Sequence, residues 1–355
     1  MQQYDCIVIG GGQFGLHTAR RLQQAGLNYL LLERDRIGDA WRNRLEGMQL
    51  FTSRQFCALP ELPFPGDPEG FASVVEMADY LSQYAQHHKL QIREQAKVVS
   101  LERVEPGGFL IKLQNGTDLW ARSIVNATGA NQLPHVPAIG QQLDTSVRQL
   151  DAGLGSTASI TDGSTVAVIG DGASGRQIAD QLAKRCTVIL ATGSPRGLTP
   201  NRILKRDIFW WLDKLRILYA DKNSLVARIL KKRNPVPCGD YSNRHLQARG
   251  VEIVGRALEC AGQRLRFASG EWRDVDCVIW ATGYRDDTQW LNLPHCIGAD
   301  GFVEDYGKTP EPGLFVVGRK WLSCRASELV MGVEADVDRI MAPLRSFLSD
   351  REDAL

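Results

Sequence analysis

The sequence predicts an α/β fold with two doubly wound parallel sheets, the second inserted into the first, together with a β-meander. Two observations carry this prediction. A glycine-rich turn between a short apolar strand and a helix occurs at Gly10–Gly15 and again at Gly170–Gly175. Each copy leads later to a strand that ends in Ala-Thr-Gly, at Ala127–Gly129 and at Ala281–Gly283. Two copies of one pattern indicate duplication of a Rossmann-like, dinucleotide-binding unit.

Length and composition limit the classes of protein to consider. With 355 residues the chain can form two domains, which we place at 1–151 with 285–355 and at 152–284. A formal net charge of +1 gives no reason to expect a nucleic-acid partner. The chain enters its first strand at once, and its apolar runs are shorter than the ~20 residues of a membrane span, so we expect a cytoplasmic protein without a transmembrane segment. The eight cysteines are scattered without a C-x-x-C pair, which predicts buried thiols and no metal site.

The first glycine turn has the features of a phosphate-binding loop. A β-branched strand precedes Gly10, Gly12 and Gly15, which open a helix. The first glycine permits a tight turn, the second lets a pyrophosphate approach the backbone, and the third lets the helix pack on its strand. The helix N-terminus adds free N–H groups and the positive end of a dipole. Because the next strand ends on Glu33, at the spacing of an acid that binds an adenosine ribose, this stretch predicts an adenine-dinucleotide site.

The region between the two turns predicts a loop, a helix and the meander. Residues 34–66 are rich in glycine, proline and apolar side chains, which is typical of a loop that lines a ligand site and also of a small satellite core. Residues 71–88 have apolar side chains at helical spacing and predict an amphipathic helix. From residue 91, short apolar runs with a turn at Asn115-Gly116 predict the meander.

The second glycine turn, Gly170–Gly175, differs from the first in the residue type that follows its second strand. Residues 190–196 contain no acid there, and Arg196 and Arg202 are near. A carboxylate at that point would repel a 2′-phosphate, so its absence favours NADPH. Neutral Thr192 and Ser194 also suit NADH, and the sequence leaves that choice open.

The remaining segments complete the second unit and return to the first. Residues 202–233 are basic and have apolar side chains at helical spacing, which is typical of a helix on a membrane, on a partner or on its own domain; we expect the last. Residues 250–284 predict short strands. The C-terminal stretch predicts a strand, a loop and a helix that carries Leu329 and Val333, and we expect it to rejoin the first domain.

Two dinucleotide sites on one chain imply that one cofactor passes a hydride to the other. Flavin accepts a hydride and can then react with O2 or pass on single electrons, so FAD in the first site and NAD(P)H in the second is the simplest assignment. Disulfide reductases of this architecture need a cysteine pair beside the flavin, and many have an acid after the glycine of the C-terminal strand. This sequence has no such pair, and Arg319 follows Gly318. Oxygen and an external electron acceptor remain.

Motifs spread over nearly the whole chain carry a resemblance to a known family. They are IGGGQFGL, Ala40-Trp41, LFTSRQFCALPELPFPG at residues 50–66, GDGASGRQIA, ATGY at residues 281–284 and VVGRKWLSCRASELVMGV. With these motifs the chain resembles the flavin-containing monooxygenases, especially the short bacterial members and the plant auxin-synthesis enzymes. The resemblance implies reduction of FAD by NADPH or NADH, addition of O2 to give a flavin C4a-hydroperoxide, and oxygen transfer to a sulfide, an amine or a ketone.

The resemblance also assigns site residues by position. It implies that FAD is held by Gly10, Gly12, Gly15, Glu33 and Trp41, and the nicotinamide cofactor by Gly170, Gly172, Ser174 and Gly175. It places Phe51, Thr52 and Gln55 near the flavin, while no catalytic acid or base is identified. We extend the predicted FAD site to Gln13, Phe14, Arg34, Val99, Ala127, Thr128, Gly129 and Gly318. We extend the predicted NADPH site to Ala173, Thr192, Ser194, Arg196, Thr282 and Gly283.

One family motif is largely missing, and this keeps other functions open. The linker motif F-x-G-x-x-x-H-x-x-x-aromatic maps onto Ala138, Gly140, Asp144 and Arg148, of which only the glycine matches. An enzyme that cannot hold the hydroperoxide releases H2O2 and behaves as an NAD(P)H oxidase. We favour a monooxygenase with a small-molecule substrate and O2; the alternatives are a flavin oxidase or reductase with another acceptor, and a non-catalytic flavin-binding sensor or partner protein. The sequence identifies neither the substrate nor whether the chain forms a homodimer.

Overall fold

The computed structural model describes residues 2–44, 47–105, 107–153 and 157–350, without the side chain of residue 158. Residues 1 and 351–355, which the sequence-based boundaries assign to the first domain, lie outside the described residues. No helix in the described part of the chain is both long and apolar enough to cross a membrane.

The described residues form eight α-helices, named here in chain order. They are α1 (Gln13–Gln24), α2 (Asp39–Arg42), α3 (Val74–His87), α4 (Ala173–Leu182), α5 (Ile208–Lys214), α6 (Leu225–Arg233), α7 (Asn243–Ala248) and α8 (Val333–Ser349). The predicted amphipathic helix is confirmed as α3, which a capping box between Ser73 and Glu76 opens. Since α8 begins at Val333, Leu329 lies in the turn before the helix and not within it, contrary to the sequence-based prediction.

The same described residues form twenty-five short strands. The strands of the first half are β1 (Gln2–Ile9), β2 (Tyr29–Leu32), β3 (Gln49–Ser53), β4 (Phe71–Ser73), β5 (Ile92–Arg93), β6 (Val98–Val104), β7 (Gly108–Leu113), β8 (Asp118–Asn126), β9 (Leu133–Pro134), β10 (Arg148–Asp151), β11 (Thr165–Ile169) and β12 (Thr187–Ala191). Those of the second half are β13 (Leu198–Thr199), β14 (Arg202–Ile203), β15 (Arg206–Asp207), β16 (Val236–Pro237), β17 (Glu252–Val254), β18 (Ala257–Ala261), β19 (Arg264–Phe267), β20 (Trp272–Asp274), β21 (Cys277–Trp280), β22 (Tyr284–Arg285), β23 (Ile297–Gly298), β24 (Gly301–Phe302) and β25 (Leu314–Val316).

The first sheet combines a parallel half with the predicted meander. Its strand order is β5-β2-β1-β8-β7-β6, and β25 pairs with β8. The pairs β2–β1, β1–β8 and β25–β8 are parallel, whereas β8–β7 and β7–β6 are antiparallel. The turn at Asn115-Gly116 joins β7 to β8, as the sequence predicts. Because β25 follows the whole second unit and returns to this sheet, the predicted insertion is confirmed.

The second sheet is entirely parallel, with strand order β10-β21-β11-β12-β17. Its outer strand, Arg148–Asp151, falls on the first-domain side of the sequence-based boundary at residue 152, although it pairs with Cys277–Trp280. The second sheet therefore begins at Arg148. A small antiparallel sheet, β18-β19-β20, packs beside it.

One apolar core crosses from the first unit into the second. It includes Val8 of β1, Leu16 of α1, Val168 of β11 and Ile178 of α4, each no more than 1% exposed. Strands of parallel sheets are buried on both faces, which explains why their sequences are apolar runs without alternation. The two glycine turns are thereby fixed in one continuous body.

The basic segment 202–233 packs differently from the sequence-based expectation. Its residues Ile208 and Phe209 are buried against Leu329 of the first unit, and Phe51 packs beside them. The ring centroids of Phe51 and Phe209 lie 5.8 Å apart. The expectation that this excursion packs on its own domain is therefore wrong: it bridges to the first unit, because its apolar contacts come from there.

Candidate functional site

The first glycine turn leaves room for a ligand only at one of its glycines. A Cβ on Gly10, whose φ is +108°, would lie 2.6 Å from the Ala127 carbonyl oxygen, and one on Gly15 would lie 1.8 Å from the Gly10 carbonyl oxygen. A Cβ on Gly12 would meet no described atom within 4 Å. Gly10 and Gly15 are thus required by the fold, whereas Gly12 faces open space, as expected where a phosphate approaches the backbone.

The N-terminus of α1 is free to bind an anion. The helix starts at Gln13 after Gly12, and no described side chain caps it. The backbone N–H groups of Gln13, Phe14 and Gly15 belong to the first turn, which has no partners within the helix. Free N–H groups and the helix dipole together favour a phosphate here, so the residues present fit the pyrophosphate of a dinucleotide.

Glu33 is held beside this turn by two backbone donors. The Gly11 N–H donates to Oε2 at 2.7 Å, and the Asp35 N–H donates to Oε1 at 3.0 Å. Burial raises the pKa of the Glu33 carboxyl, and these donors oppose the rise. A Cβ on Gly11 would lie 2.9 Å from Oε2, so a glycine that the sequence reading did not single out is needed here. Arg34 pairs with Asp35 at the surface.

Of the other predicted FAD residues, those at the end of β8 and Gly318 lie close to the turn, whereas Val99 lies further out. Gln132 binds Thr128 Oγ1 at 2.8 Å and the Gly129 carbonyl at 2.7 Å, which fixes the end of β8. A Cβ on Gly318 would lie 2.9 Å from the Phe14 ring, so the C-terminal strand ends against α1. Val99 is exposed on β6, three residues beyond Ala96, whose N–H donates to the Glu33 carbonyl.

Beside Trp41, at the boundary between the units, lies a cation that the sequence did not predict, the Arg44 guanidinium. The Arg44 guanidinium lies 4.5 Å from the Trp41 ring centroid, and burial lowers its pKa while the Tyr284 phenol partly offsets this effect. The Arg44 guanidinium forms no hydrogen bond or ion pair with any residue that the structure describes, although the Arg44 backbone N–H donates to the Trp41 carbonyl. A partly buried guanidinium without an acceptor is available to an anionic ligand. Sequence reasoning missed Arg44, because one arginine in an irregular loop carries no pattern.

The segment predicted to lie near the flavin is fixed from both sides. Thr52 Oγ1 lies 3.2 Å from Cys57 Sγ, and Gln55 Nε2 donates to Ser53 Oγ at 3.1 Å. The Ser53 N–H donates at 2.7 Å to Asp207, a fully buried residue that also caps α5. Asp207 was not recognised in the sequence, because its partner is 154 residues away.

The second glycine turn repeats the geometry of the first. A Cβ on Gly170, whose φ is +112°, would lie 2.3 Å from the Ala281 carbonyl oxygen, and one on Gly175 would lie 1.9 Å from the Gly170 carbonyl oxygen. Gly172 again faces open space, and α4 starts at Ala173 with Ser174 and Gly175 in its first turn. No described side chain caps this helix. The site therefore fits a second pyrophosphate.

The surroundings of the second turn differ from those of the first in charge. Thr192, which corresponds to Glu33, donates its hydroxyl to the Val254 carbonyl at 2.9 Å. Asp171 replaces Gly11, and its carboxylate lies 3.5 Å from Arg176 and 3.9 Å from Arg196. Arg176 is 1% exposed and was missed by the sequence reading. The acid of this site thus lies within the turn, while the end of β12 is neutral.

The remaining residues of the predicted NADPH site lie at the surface or at the two points where the chain enters and leaves the second unit. Thr282 Oγ1 donates to the His135 carbonyl, and the His135 N–H donates to Gly283 at 2.9 Å. Ser194 is exposed. These bonds tie β9 to β22, where the chain enters and leaves the second unit.

Arg319 takes part in the same junction. Its Nη1 donates to the Gly129 carbonyl at 2.9 Å, and its Nη2 contacts both carboxylate oxygens of Asp286, whose side chain is 4% exposed. Arg319 stands where many disulfide reductases have an acid. Here it links the C-terminal strand to the two segments through which the chain enters and leaves the second unit.

The positions of the altered linker motif make local contacts. Asp144 is fully exposed and accepts from the Ser146 N–H, which lowers the pKa of its carboxyl. Arg148 donates to the Ser159 carbonyl at 2.9 Å. Ala138 begins a short 3₁₀ turn beside β18.

Comparison with known proteins places this geometry among flavoproteins. Residues 7–231 match the family model described as pyridine nucleotide-disulphide oxidoreductase. An uncharacterised CzcO-like oxidoreductase of Geobacillus kaustophilus is 33% identical over 95% of this chain and 97% of its own length. An indole-3-pyruvate monooxygenase of Oryza sativa is 26% identical over 88% of this chain and 86% of its own. The solved flavin-containing monooxygenase from Stenotrophomonas maltophilia superposes with a TM-score of 0.82 at 24% identity, covering 98% of this chain and 99% of that one.

Proposed function

Since the chain belongs to the pyridine nucleotide-disulphide oxidoreductase family and, within it, to the flavin-containing monooxygenases, we propose that it uses FAD, NADPH and O2 to oxygenate a small soft nucleophile or a ketone. The soft nucleophile would be a sulfide or an amine. The chain is a flavin-dependent oxidoreductase, and the sulfide, amine or ketone is the compound that would accept the oxygen atom. Bound FAD supplies the ability to take a hydride from the nicotinamide cofactor and to deliver electrons to O2.

The single observation that supports two different dinucleotides is the contrast between Glu33 and Thr192. Glu33 presents a carboxylate that is already oriented by the Gly11 and Asp35 N–H groups, which suits ribose hydroxyls. Thr192 occupies the corresponding place without a charge, which suits a 2′-phosphate. The first turn would therefore hold FAD, and the second would hold NADPH.

The chain's own contribution is to bind and orient both cofactors and to keep water from the reacting atoms. Gln49 and Ser53, on either side of Phe51 and Thr52, are bonded to Gln177 and Asp207 of the second unit. The segment proposed to lie beside the flavin is thus held against α4 and α5. The Arg44 cation is available to an anionic part of the nicotinamide cofactor or of the substrate.

The cysteines argue against disulfide reduction. All eight are free, and Cys57, the one bonded to Thr52, is buried. Burial raises its pKa to about 11, so it remains a thiol at neutral pH and is a poor nucleophile. No other cysteine in the described residues pairs with it. Oxygen chemistry is therefore the better match to this site than thiol chemistry.

A second candidate function, an NAD(P)H oxidase or reductase, is favoured by the linker motif. Asp144 and Arg148 stand where the family has its histidine and aromatic residue, and both are engaged at the surface of the second unit. Other residues would then have to retain the nicotinamide cofactor. If that retention is weak, O2 is reduced to H2O2 without transfer to a substrate.

An isotope experiment distinguishes the two functions. The FAD-loaded protein is supplied with NADPH, ¹⁸O2 and a panel of sulfides, amines and ketones, and product mass and H2O2 are measured together. We expect substrate-dependent NADPH consumption and a product that carries one ¹⁸O atom. Unlabelled product, or H2O2 that equals NADPH consumed with every compound, would reject the monooxygenase. The Gly172→Ala variant, which is expected to keep FAD and bind NADPH poorly, is the control for direct chemical oxidation.

A further inference from the structure

The basic segment 202–233 carries a large positive charge that lies outside both proposed cofactor sites. It contains ten Lys and Arg residues against three Asp, a net charge of +7. The whole chain has a net charge of +1, so the rest of the chain is negative by six. Such an asymmetry gives one region of the surface a strong positive potential.

Apolar side chains are exposed within this charged region. The hairpin of β14 and β15 turns at Leu204 and Lys205, whose φ angles are +51° and +65°. Hairpin turns of this kind favour Asn and Gly, because other residues are strained at positive φ. Leu204 is nevertheless 81% exposed, and Ile203 beside it is 43% exposed. A strained leucine that buries almost nothing does not serve the stability of the fold.

Helix α5 extends this apolar surface. Trp211 Nε1 donates to the Ile203 carbonyl at 3.1 Å, which joins the helix to the hairpin. Leu215 follows Trp211 by four residues, lies on the same helical side and is 66% exposed. Residues 202–206 and 214–216, all exposed, form what we call the tip patch. Its cations are Arg202, Lys205, Arg206, Lys214 and Arg216.

Arg202 and Arg206 are partly satisfied by the protein itself. Arg206 pairs with Glu69 at 2.6 Å, and Arg202 donates to the Glu69 carbonyl at 2.6 Å. Lys214 lies 5.8 Å from the Trp210 ring, and Arg216 lies 4.5 Å from the Tyr219 ring. These two cations and Lys205 have no carboxylate partner among the described residues. They remain free to meet negative charge outside the chain.

We propose that the tip patch docks on an anionic lipid surface, with Leu204 and Leu215 entering the interface and the surrounding cations facing lipid phosphates. Exposed aliphatic tips ringed by Lys and Arg match the two layers of such a surface, apolar acyl chains below negative headgroups. A second copy of this chain matches it poorly, because a symmetric contact would bring equal positive patches together. Helix α6 has the same character, with Leu225 68% exposed and Ile229 53% exposed among four cations.

Vesicle flotation of the FAD-loaded protein tests this proposal. Vesicles of phosphatidylcholine alone are compared with vesicles that contain phosphatidylglycerol, at low and at high salt. We expect binding to the anionic vesicles only, and release by salt. The Leu204→Asn/Leu215→Ser variant should bind at least about tenfold more weakly, since each buried aliphatic group contributes to partitioning. The separate variant Lys205→Glu/Lys214→Glu should weaken binding to anionic vesicles by about fivefold or more for each charge removed.

Matched variants separate docking from general surface effects. Leu258→Ser removes an aliphatic side chain of β18 that is 43% exposed, and Lys184→Glu/Lys308→Glu makes the same charge change at exposed residues outside segment 202–233. Both should bind vesicles like the parent protein, and all variants should retain flavin. Equal binding to neutral vesicles, or unchanged binding of the Leu204/Leu215 variant, would overturn the proposal. So would a concentration-dependent dimer that this variant dissociates, because the patch would then be a contact between copies.

Discussion

Gln49 of β3 and Gln177 of α4 exchange two hydrogen bonds across the boundary between the two units. The Gln49 N–H donates to Gln177 Oε1 at 3.0 Å, and Gln177 Nε2 donates to the Gln49 carbonyl at 3.0 Å. One amide side chain thus satisfies both backbone groups of a residue 128 positions away. Gln177 lies in α4, two residues after Gly175 of the second glycine turn, while Gln49 begins the segment that contains Phe51 and Thr52. The pair therefore links the proposed NADPH site to the proposed flavin-side segment.

We expect Gln177→Leu to weaken this link. The side chain is 5% exposed, so loss of both bonds should lower the free energy of unfolding by about 1–3 kcal/mol. Flavin reduction by NADPH should slow, because the two units are held less accurately. Urea unfolding and stopped-flow bleaching of the flavin measure the two effects. Gln247→Leu, at an exposed position of α7, serves as the control, and equal behaviour of the two variants would contradict the role of Gln177.

Glu33→Ala should cost flavin affinity far more than NADPH affinity. The charged carboxylate is oriented by two N–H donors, and a hydrogen bond to a charged group contributes about 1.5–3 kcal/mol. We therefore expect at least about a tenfold rise in the Kd for FAD, measured by titration of the apoprotein. The Kd for NADPH should stay within about twofold. Glu102→Ala, on the meander, controls for the loss of a carboxylate. An equal loss of both cofactors would show that Glu33 supports the fold instead.

The two open glycines should separate the two cofactors. Gly12→Ala and Gly172→Ala introduce a methyl group that meets no described atom within 4 Å, so both variants should fold. We expect Gly12→Ala to lose flavin, and Gly172→Ala to keep flavin but show a KM for NADPH raised about tenfold or more. Absorbance of the purified proteins and steady-state kinetics measure this. Gly15→Ala, whose Cβ would lie 1.8 Å from a carbonyl oxygen, should instead fail to fold stably. Identical effects of the Gly12 and Gly172 variants would contradict the assignment.

Local patterns explain how much of the fold could be predicted. Apolar strands followed by glycine turns are set by neighbouring residues, so both turns, the meander and α3 could be found in the sequence. The contacts of Asp207 with Ser53, and of Arg176 with the Tyr241 carbonyl, join positions 154 and 65 residues apart. Nothing near either residue in the chain signals its partner. The direction in which the basic excursion packs depends on Leu329 and Phe51 in the same way, and this is why that expectation was wrong.

Acid should destabilise the protein through His17. The side chain is 2% exposed, and burial, with Arg21 adding to it, lowers the pKa of the ring to about 4 from 6.5. Because the folded state disfavours the charged ring, stability is complete above pH 6.5 and falls as the pH drops towards 4. Between pH 7 and 5 this residue should account for a loss of about 2 kcal/mol in the free energy of unfolding. Urea unfolding across this range should give a flatter profile for His17→Gln. The exposed His87→Gln is the control, and parallel profiles of His17→Gln and the parent would refute the assignment.

The duplication also indicates how the nicotinamide preference could be changed. In the first site, Gly11 leaves room for the Glu33 carboxylate and donates to it; in the second, Asp171 fills the position of Gly11 and Thr192 that of Glu33. Thr192→Glu alone would place a second carboxylate near the buried Asp171, whose Oδ1 has no hydrogen-bond partner among the described residues. Asp171→Gly/Thr192→Glu would instead reproduce the first site. We expect the double variant to lower the ratio of kcat/KM for NADPH over NADH by at least about tenfold, because the new carboxylate repels a 2′-phosphate and accepts from ribose hydroxyls. Asp171→Gly alone controls for the loss of the existing acid, and an unchanged ratio in the double variant would show that the end of β12 does not contact the adenosine ribose.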